Sequence, residues 1–120
     1  MENRKTYQDV PVKDKTYRIN KMDARSACWL FAFLADKAEG KALLSALGKC
    51  SKKEFDEIQS MALKQVEFMD YKDGNTFPTA VITGNGSICD VTMQEDPSIV
   101  FNLTAECIMF NLTPFLVGDV

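Results

Sequence analysis

Polar and apolar residues alternate one for one between Lys15 and Asn20. Thr16, Arg18 and Asn20 are polar, while Tyr17 and Ile19 are apolar. A two-residue period is that of a strand with one buried face. Thr6–Val12 holds Tyr7, Val10 and Val12, but Pro11 removes a ladder donor, so an edge strand is predicted there. With Asp14 and its lysine neighbours as the turn, the two segments form an N-terminal β-hairpin.

The period then lengthens. Asp23 can accept a free backbone N–H of a following turn, and Gly40 can end a helix, which predicts a helix from there to about Ala38. Its middle, Ala27 to Ala35, is apolar on every side. A surface helix shows one apolar stripe, so this one is either the central core helix or gives a face to another chain. Lys41–Leu47 reads as a short helix closed by Gly48. Ser51 and Glu54 have capping-box spacing. Phe55, Ile58, Ala62, Val66 and Met69 follow at helical spacing, with Lys53, Glu57, Lys64 and Glu67 opposite. An amphipathic helix from Ser51 to about Met69, packed on the first, is predicted. Asp70–Pro78 reads as a turn-rich connection around Asp73-Gly74-Asn75. Ala80–Thr83 and Ser87–Val91 read as short strands around Gly84-Asn85-Gly86, a second hairpin. Asp96-Pro97 opens a last helix to about Leu112, again apolar on most sides, and Thr113-Pro114 is expected to stop it. The expected fold is α+β and mostly helical: an N-terminal β-hairpin, two to three packed helices, a short second hairpin and a long C-terminal helix. Residues 1–120 form one domain, with 1–5 and 117–120 frayed.

Composition adds limits. With 46% apolar and 26% charged residues in 120, the chain can fill a core. The net charge is −3. Arg4, Lys5, Lys13, Lys15, Arg18 and Lys21 are the only basic concentration and read as a solvated strand pair, so no nucleic acid is expected as a partner. No apolar run approaches the roughly 20 residues of a membrane span. The polar first twenty residues hold no secretory leader, so a cytosolic protein without disulfides is expected. Cys28, Cys50, Cys89 and Cys107 lie far apart and there is no histidine, so neither a metal nor a cofactor is expected. Cys28 and Cys107, in apolar runs, read as small buried hydrophobes.

Catalysis lacks its usual parts. The commonest general base is missing, and the acids stand in ones and twos on solvated faces. Gly84-Asn85-Gly86 has neither the lysine nor the further glycines of a phosphate loop. Asn102-Leu103-Thr104 and Asn111-Leu112-Thr113 match the glycosylation acceptor pattern by chance, inside an apolar helix. The expectation is a non-enzyme. What stands out is an apolar surplus on two helices: Trp29, Phe31 and Phe33 on the first, Phe101, Phe110 and Phe115 on or after the last. Three or four helices cannot cover every side of both, so an apolar protein-binding patch is expected. Its candidate residues are Trp29, Phe33, Phe110 and Phe115. Self-association to a homo-oligomer would use the same residues.

Three segments together resemble the small tail assembly chaperones of long-tailed bacteriophages and prophages. They are Lys15-Thr16-Tyr17-Arg18-Ile19-Asn20-Lys21-Met22-Asp23-Ala24, the polar amphipathic segment Ser51 to Asp70, and Glu95-Asp96-Pro97 leading to Phe110-Asn111-Leu112-Thr113-Pro114-Phe115. The last, an aromatic-Asn-x-x-Pro-Phe close, is the most telling. The resemblance implies a protein of the host cytoplasm that binds the long helical tape measure protein, helps to recruit tail tube protein and is absent from the mature virion. Many proteins of that kind are made in two lengths by frameshifting, and this chain stops soon after Phe115, as the short form would. A helix-in-groove contact needs no nucleotide and fits such a role.

Two other readings compete. A structural virion subunit, such as a small tail or head-completion protein, would also need apolar subunit contacts but is expected to carry a substantial sheet. A helical DNA-binding regulator is disfavoured by the acidic balance.

Overall fold

The computed structural model describes residues 6–12 and 15–116. The frayed ends and the Asp14 turn of the sequence reading lie outside them. The fold is α+β. Strands β1 (Tyr7–Val12), β2 (Lys15–Asn20), β3 (Val66–Lys72) and β4 (Asn75–Ala80) form one antiparallel sheet in the order β1-β2-β3-β4. Helix α1 (Ala24–Ala38), a 3-10 segment (Leu43–Lys49) and α2 (Lys52–Leu63) are inserted between β2 and β3. Short α3 (Val91–Glu95) and long α4 (Pro97–Leu116) follow β4.

The N-terminal hairpin forms as its alternation requires. Val10, Val12, Tyr17 and Ile19 are buried on one face, joined by Val66 and half-buried Phe68 of β3. Helix α4 lies on this face and touches β2, α1, α2 and α3, which makes it the central helix of the described residues. Ile99, Leu103, Cys107, Ile108 and Leu112 of α4 are buried. Phe101 and Asn102 on its outer side stay exposed, so the apolar circumference is enclosed on one broad side only.

Several expectations are corrected. The amphipathic helix does not reach Met69. It ends at Leu63, and Val66–Lys72 is a strand. Val66 and Met69 fit a helical stripe, yet Val66-Glu67-Phe68 also fits a strand, and pairing of Val66 with Ile19 and Phe68 with Tyr17 decides between them. Asp70–Pro78 is not a loop but the turn and flanks of a hairpin. Asp73 and Gly74 both have positive φ, 52° and 79°, between the paired Lys72 and Asn75. That is the two-residue Asp-Gly turn favoured in hairpins. The second hairpin predicted over Ala80–Val91 shrinks to a single bridge between Ile82 and Ile88. Its Ala80 belongs to β4 and its Val91 opens α3. The short helix predicted over Lys41–Leu47 is a 3-10 segment shifted toward Lys49, with Gly48 inside it.

Helix α2 packs on α4 and not chiefly on α1. Phe55 stacks on Phe101 at 6.5 Å, Gln59 Nε2 donates to Thr104 Oγ1 at 3.3 Å, and Cys107 Sγ reaches Ala62 O at 3.3 Å. Both members of each pair advance together along the chain, so α2 and α4 run parallel. Pro114 does not stop α4, which continues to Leu116. A proline this close to a helix end disturbs few bonds. The turn beyond it is held by Phe115, which stacks on Phe31 of α1 at 4.6 Å.

Asn111 joins strand, helix and core. It is only 6% exposed. Its Oδ1 accepts from Met22 N–H at 2.8 Å, and its Nδ2 donates to Asn20 O at 3.3 Å and to Cys107 O at 3.0 Å. The link between β2 and α1 is thereby tied to α4. No described buried side-chain nitrogen or oxygen lacks a partner.

Both edges of the sheet carry a proline. Thr6 O accepts from Lys21 N–H, which sets the parity of the β1–β2 ladder and places Pro11, opposite Thr16, at a position that makes no bond to β2. Counting from the Lys72–Asn75 turn puts Pro78 in the equivalent place on β4. Neither proline removes a ladder bond, and each interrupts the outward row of its edge.

Candidate protein-binding surface on the first helix

Helix α1 starts where Asp23 accepts from Ser26 N–H at 3.0 Å and from Ser26 Oγ–H at 2.6 Å. Those bonds hold the Asp23 carboxyl below its ordinary pKa, the Ser26 hydroxyl contributing most. The helix ends where Glu39 and Gly40 both turn to positive φ. Its buried stripe is Ala27, Leu30, Leu34 and Ala38. At about 100° per residue this stripe covers one side only, and the apolar run between Ala27 and Ala35 extends well beyond it.

Trp29 and Phe33 occupy one shoulder of the stripe. Their rings stack at 5.2 Å and 15°. Trp29 is 46% exposed and Phe33 half-buried. Lys37, one turn on, sits with its Nζ 5.1 Å from the centre of the Phe33 ring and 3.4 Å from Glu54 Oε1. Glu54 also completes the capping box of α2, accepting from Ser51 N–H at 2.9 Å. That bond is the main reason its carboxyl lies below the ordinary range, with Lys37 adding to it. Trp29, Phe33, Lys37 and Glu54 thus form a ladder from α1 to the start of α2. On the solvent side, Arg25, Ser26 and Trp29 of α1 face Glu57 and Met61 of α2 across an open groove.

The four candidate residues do not form one patch. Phe31 lies about 200° round the helix from Trp29, and Phe115 stacks on Phe31, so Phe115 belongs to the opposite shoulder of α1. Half-buried Phe110 lines a third place, a groove with Gln8, Lys21, Met109 and Pro114 beside β1. The structure brings Trp29 and Phe33 together and leaves Phe110 and Phe115 on other surfaces. Met61 and Lys37 join Trp29 and Phe33 without a sequence signal that pairs α1 with α2. Further exposed apolar rings are Phe101 (50%), which stacks on Phe55, Phe77 (49%) on β4 and Tyr7 (43%) on β1.

The expectation that Cys28 is buried is wrong: Cys28 is exposed, on the side of α1 away from the core. A run apolar on all sides gives no clue to which side faces water. Cys107 is fully buried, and that burial pushes its thiol up to about 12. Burial also raises the half-buried Cys50 thiol. Thiolate is the reactive form. In a native-state titration with a chromogenic disulfide reagent, Cys28 and Cys89 are expected to react fast and Cys50 more slowly. Cys107 is expected to react only after unfolding. Rapid reaction of four thiols would contradict this placement.

Among the described residues, no three Cys, Asp or Glu side chains are grouped to hold a metal ion, and no helix is long and apolar enough to cross a membrane. Compared with known proteins, the chain matches no family model, no curated protein and no solved structure.

Proposed function

We propose that this chain is a non-enzymatic assembly chaperone of long phage tails. In this reading it holds an amphipathic helix of the tape measure protein against the Trp29–Phe33 ladder, helps to recruit tail tube subunits, and works in the host cytoplasm without entering the mature virion. The observation that carries the binding role is Trp29: a large ring, half in water, stacked on a second ring and facing Met61 across an open groove. The client's identity rests on the resemblance of Lys15–Ala24, Ser51–Asp70 and Glu95–Phe115 to tail assembly chaperones.

Covering the exposed half of Trp29 would take roughly 100 Å² of apolar surface out of water, worth about 2–3 kcal/mol. Trp29→Ser is therefore expected to weaken binding of tape measure protein by roughly 30-fold or more, in pull-down or calorimetric titration after co-expression. The half of the ring already packed on Phe33 is lost as well, so the unfolding midpoint is expected to fall, and affinity is compared where circular dichroism shows the variant folded. An unchanged affinity in the folded variant would remove the ladder as the client surface.

The four-stranded sheet favours a second reading. It is larger than the short hairpins expected from the sequence, and a structural virion subunit would be expected to have such a sheet. The protein's presence in purified virions at a fixed stoichiometry would support that reading. Its absence there, with co-purification alongside tape measure protein, would support the chaperone.

A further inference from the structure

The outward face of α1 has a pattern that the client role does not require. Its exposed residues from the second to the thirteenth position are Arg25, Cys28, Trp29, Ala32 and Asp36. They recur at three- and four-residue steps and so form one stripe. The middle is apolar and mostly small, one end is a cation and the other an anion. Neither the Arg25 nor the Asp36 side chain has an ion pair or hydrogen bond among the described residues, in contrast to Arg18, Lys37, Lys49 and Lys52, each of which is paired.

This stripe is complementary to itself in one orientation. Arg25 and Asp36 are equally far from the centre of the stripe, and so are Trp29 and Ala32. Laid against a second copy running the opposite way, Arg25 falls opposite Asp36 and Trp29 opposite Ala32, and each pair occurs twice by symmetry. The large ring meets the small methyl, and half-buried Phe33 falls opposite exposed Cys28. Small residues on the stripe permit the helix axes to approach to about 8–10 Å. A parallel pair would set Arg25 against Arg25 and Asp36 against Asp36, like charges in both places. We propose that two copies of this chain associate through the outward face of α1, antiparallel about a two-fold axis that passes between Leu30 and Phe31. The contact is isologous, as closed dimers require. The inference does not rest on the proposed client, since it involves this chain alone. One helix pair falls below about 1,000 Å² of buried surface, which places it among weak, reversible contacts, with a dissociation constant on the order of 10–100 μM.

Sedimentation equilibrium of the purified chain from about 5 to 500 μM tests this. A monomer–dimer equilibrium in that range is expected. Arg25→Glu alone, or Asp36→Arg alone, places like charges opposite one another twice and is expected to weaken the dimer at least tenfold. Both residues are exposed, so far-UV circular dichroism should show the wild-type fold. Mixing the two variants is the decisive arm. A heterodimer of Arg25→Glu with Asp36→Arg restores both opposite-charge pairs, so the mixture should associate where each variant alone does not. A wild-type chain that stays monomeric at 500 μM overturns the proposal. So does a dimer insensitive to both single variants, or a mixture no more associated than its components.

Discussion

Replacing Asn111 by leucine is expected to lower the free energy of unfolding by about 2–4 kcal/mol, read as a shift in the urea midpoint. Leucine keeps the branching of asparagine but ends in bulkier methyl groups, so some overpacking adds to the cost. The main loss is polar. Met22 N–H gives its hydrogen to Asn111 Oδ1 at 2.8 Å, and Asn20 O accepts from Asn111 Nδ2. Both backbone groups lie where β2 passes into α1, and the Met22 bond is buried. Each buried group left without a partner costs about 1–3 kcal/mol. Total stability for a domain of this size is of order 5–15 kcal/mol, so the variant stands close to unfolding. Asn102, exposed on the same helix, provides the control. Asn102→Leu is expected to shift stability by no more than about 0.5 kcal/mol. If the two substitutions had equal effects, Asn111 would not be the clamp described. The asparagine of the aromatic-Asn-x-x-Pro-Phe close would thus have an architectural task, fixing where α1 departs from the sheet and hence where Trp29 is presented.

Tyr17→Ala is expected to be as damaging, at about 3–5 kcal/mol. Tyr17 is fully buried at the middle of the inner face, between Val10 on β1 and Phe68 on β3. Its ring centre lies 5.7 Å from that of Phe68. Its hydroxyl donates to Asp90 Oδ2 at 3.0 Å and so fastens the segment before α3 to the sheet. Tyr17→Phe separates the two contributions. It keeps the ring and loses the hydrogen bond, and is expected to cost about 1–2 kcal/mol. Near-equal losses for the two variants would mean that the hydroxyl outweighs the ring, contrary to the burial.

Local chemistry was legible wherever neighbouring residues satisfy one another. The Asp23 cap, the Ser51–Glu54 capping box and the alternation of β2 each lie within a few residues, and each forms as expected. Failures came where a distant partner decides. Val66 continues the helical stripe from Ala62 as well as it begins a strand, and only Ile19, far back in sequence, breaks the tie. Asp73-Gly74 is visible as a turn, but the residues before it also continue a helical stripe, so the hairpin around it is not legible. At Pro114 a sound local rule yields to the ring contact of Phe115 with Phe31. The candidate surface divides in the same way. Trp29 and Phe33 are four residues apart, and their sharing of a shoulder follows from helix geometry alone. That Phe115 turns to the far shoulder, and Phe110 toward β1, depends on the path of α4, which no spacing along the chain encodes.

The prolines on both margins of the sheet decide how this molecule can enter a larger body. Strand-by-strand growth of a fibre or a continuous wall requires an unbroken template of donors and acceptors at an open flank. Here neither flank offers one, because Pro11 and Pro78 each leave a gap in that template. Addition of a further strand at either flank is thereby discouraged, which leaves side-chain contacts, such as those the rings of α1 can make, as the way for this molecule to join another.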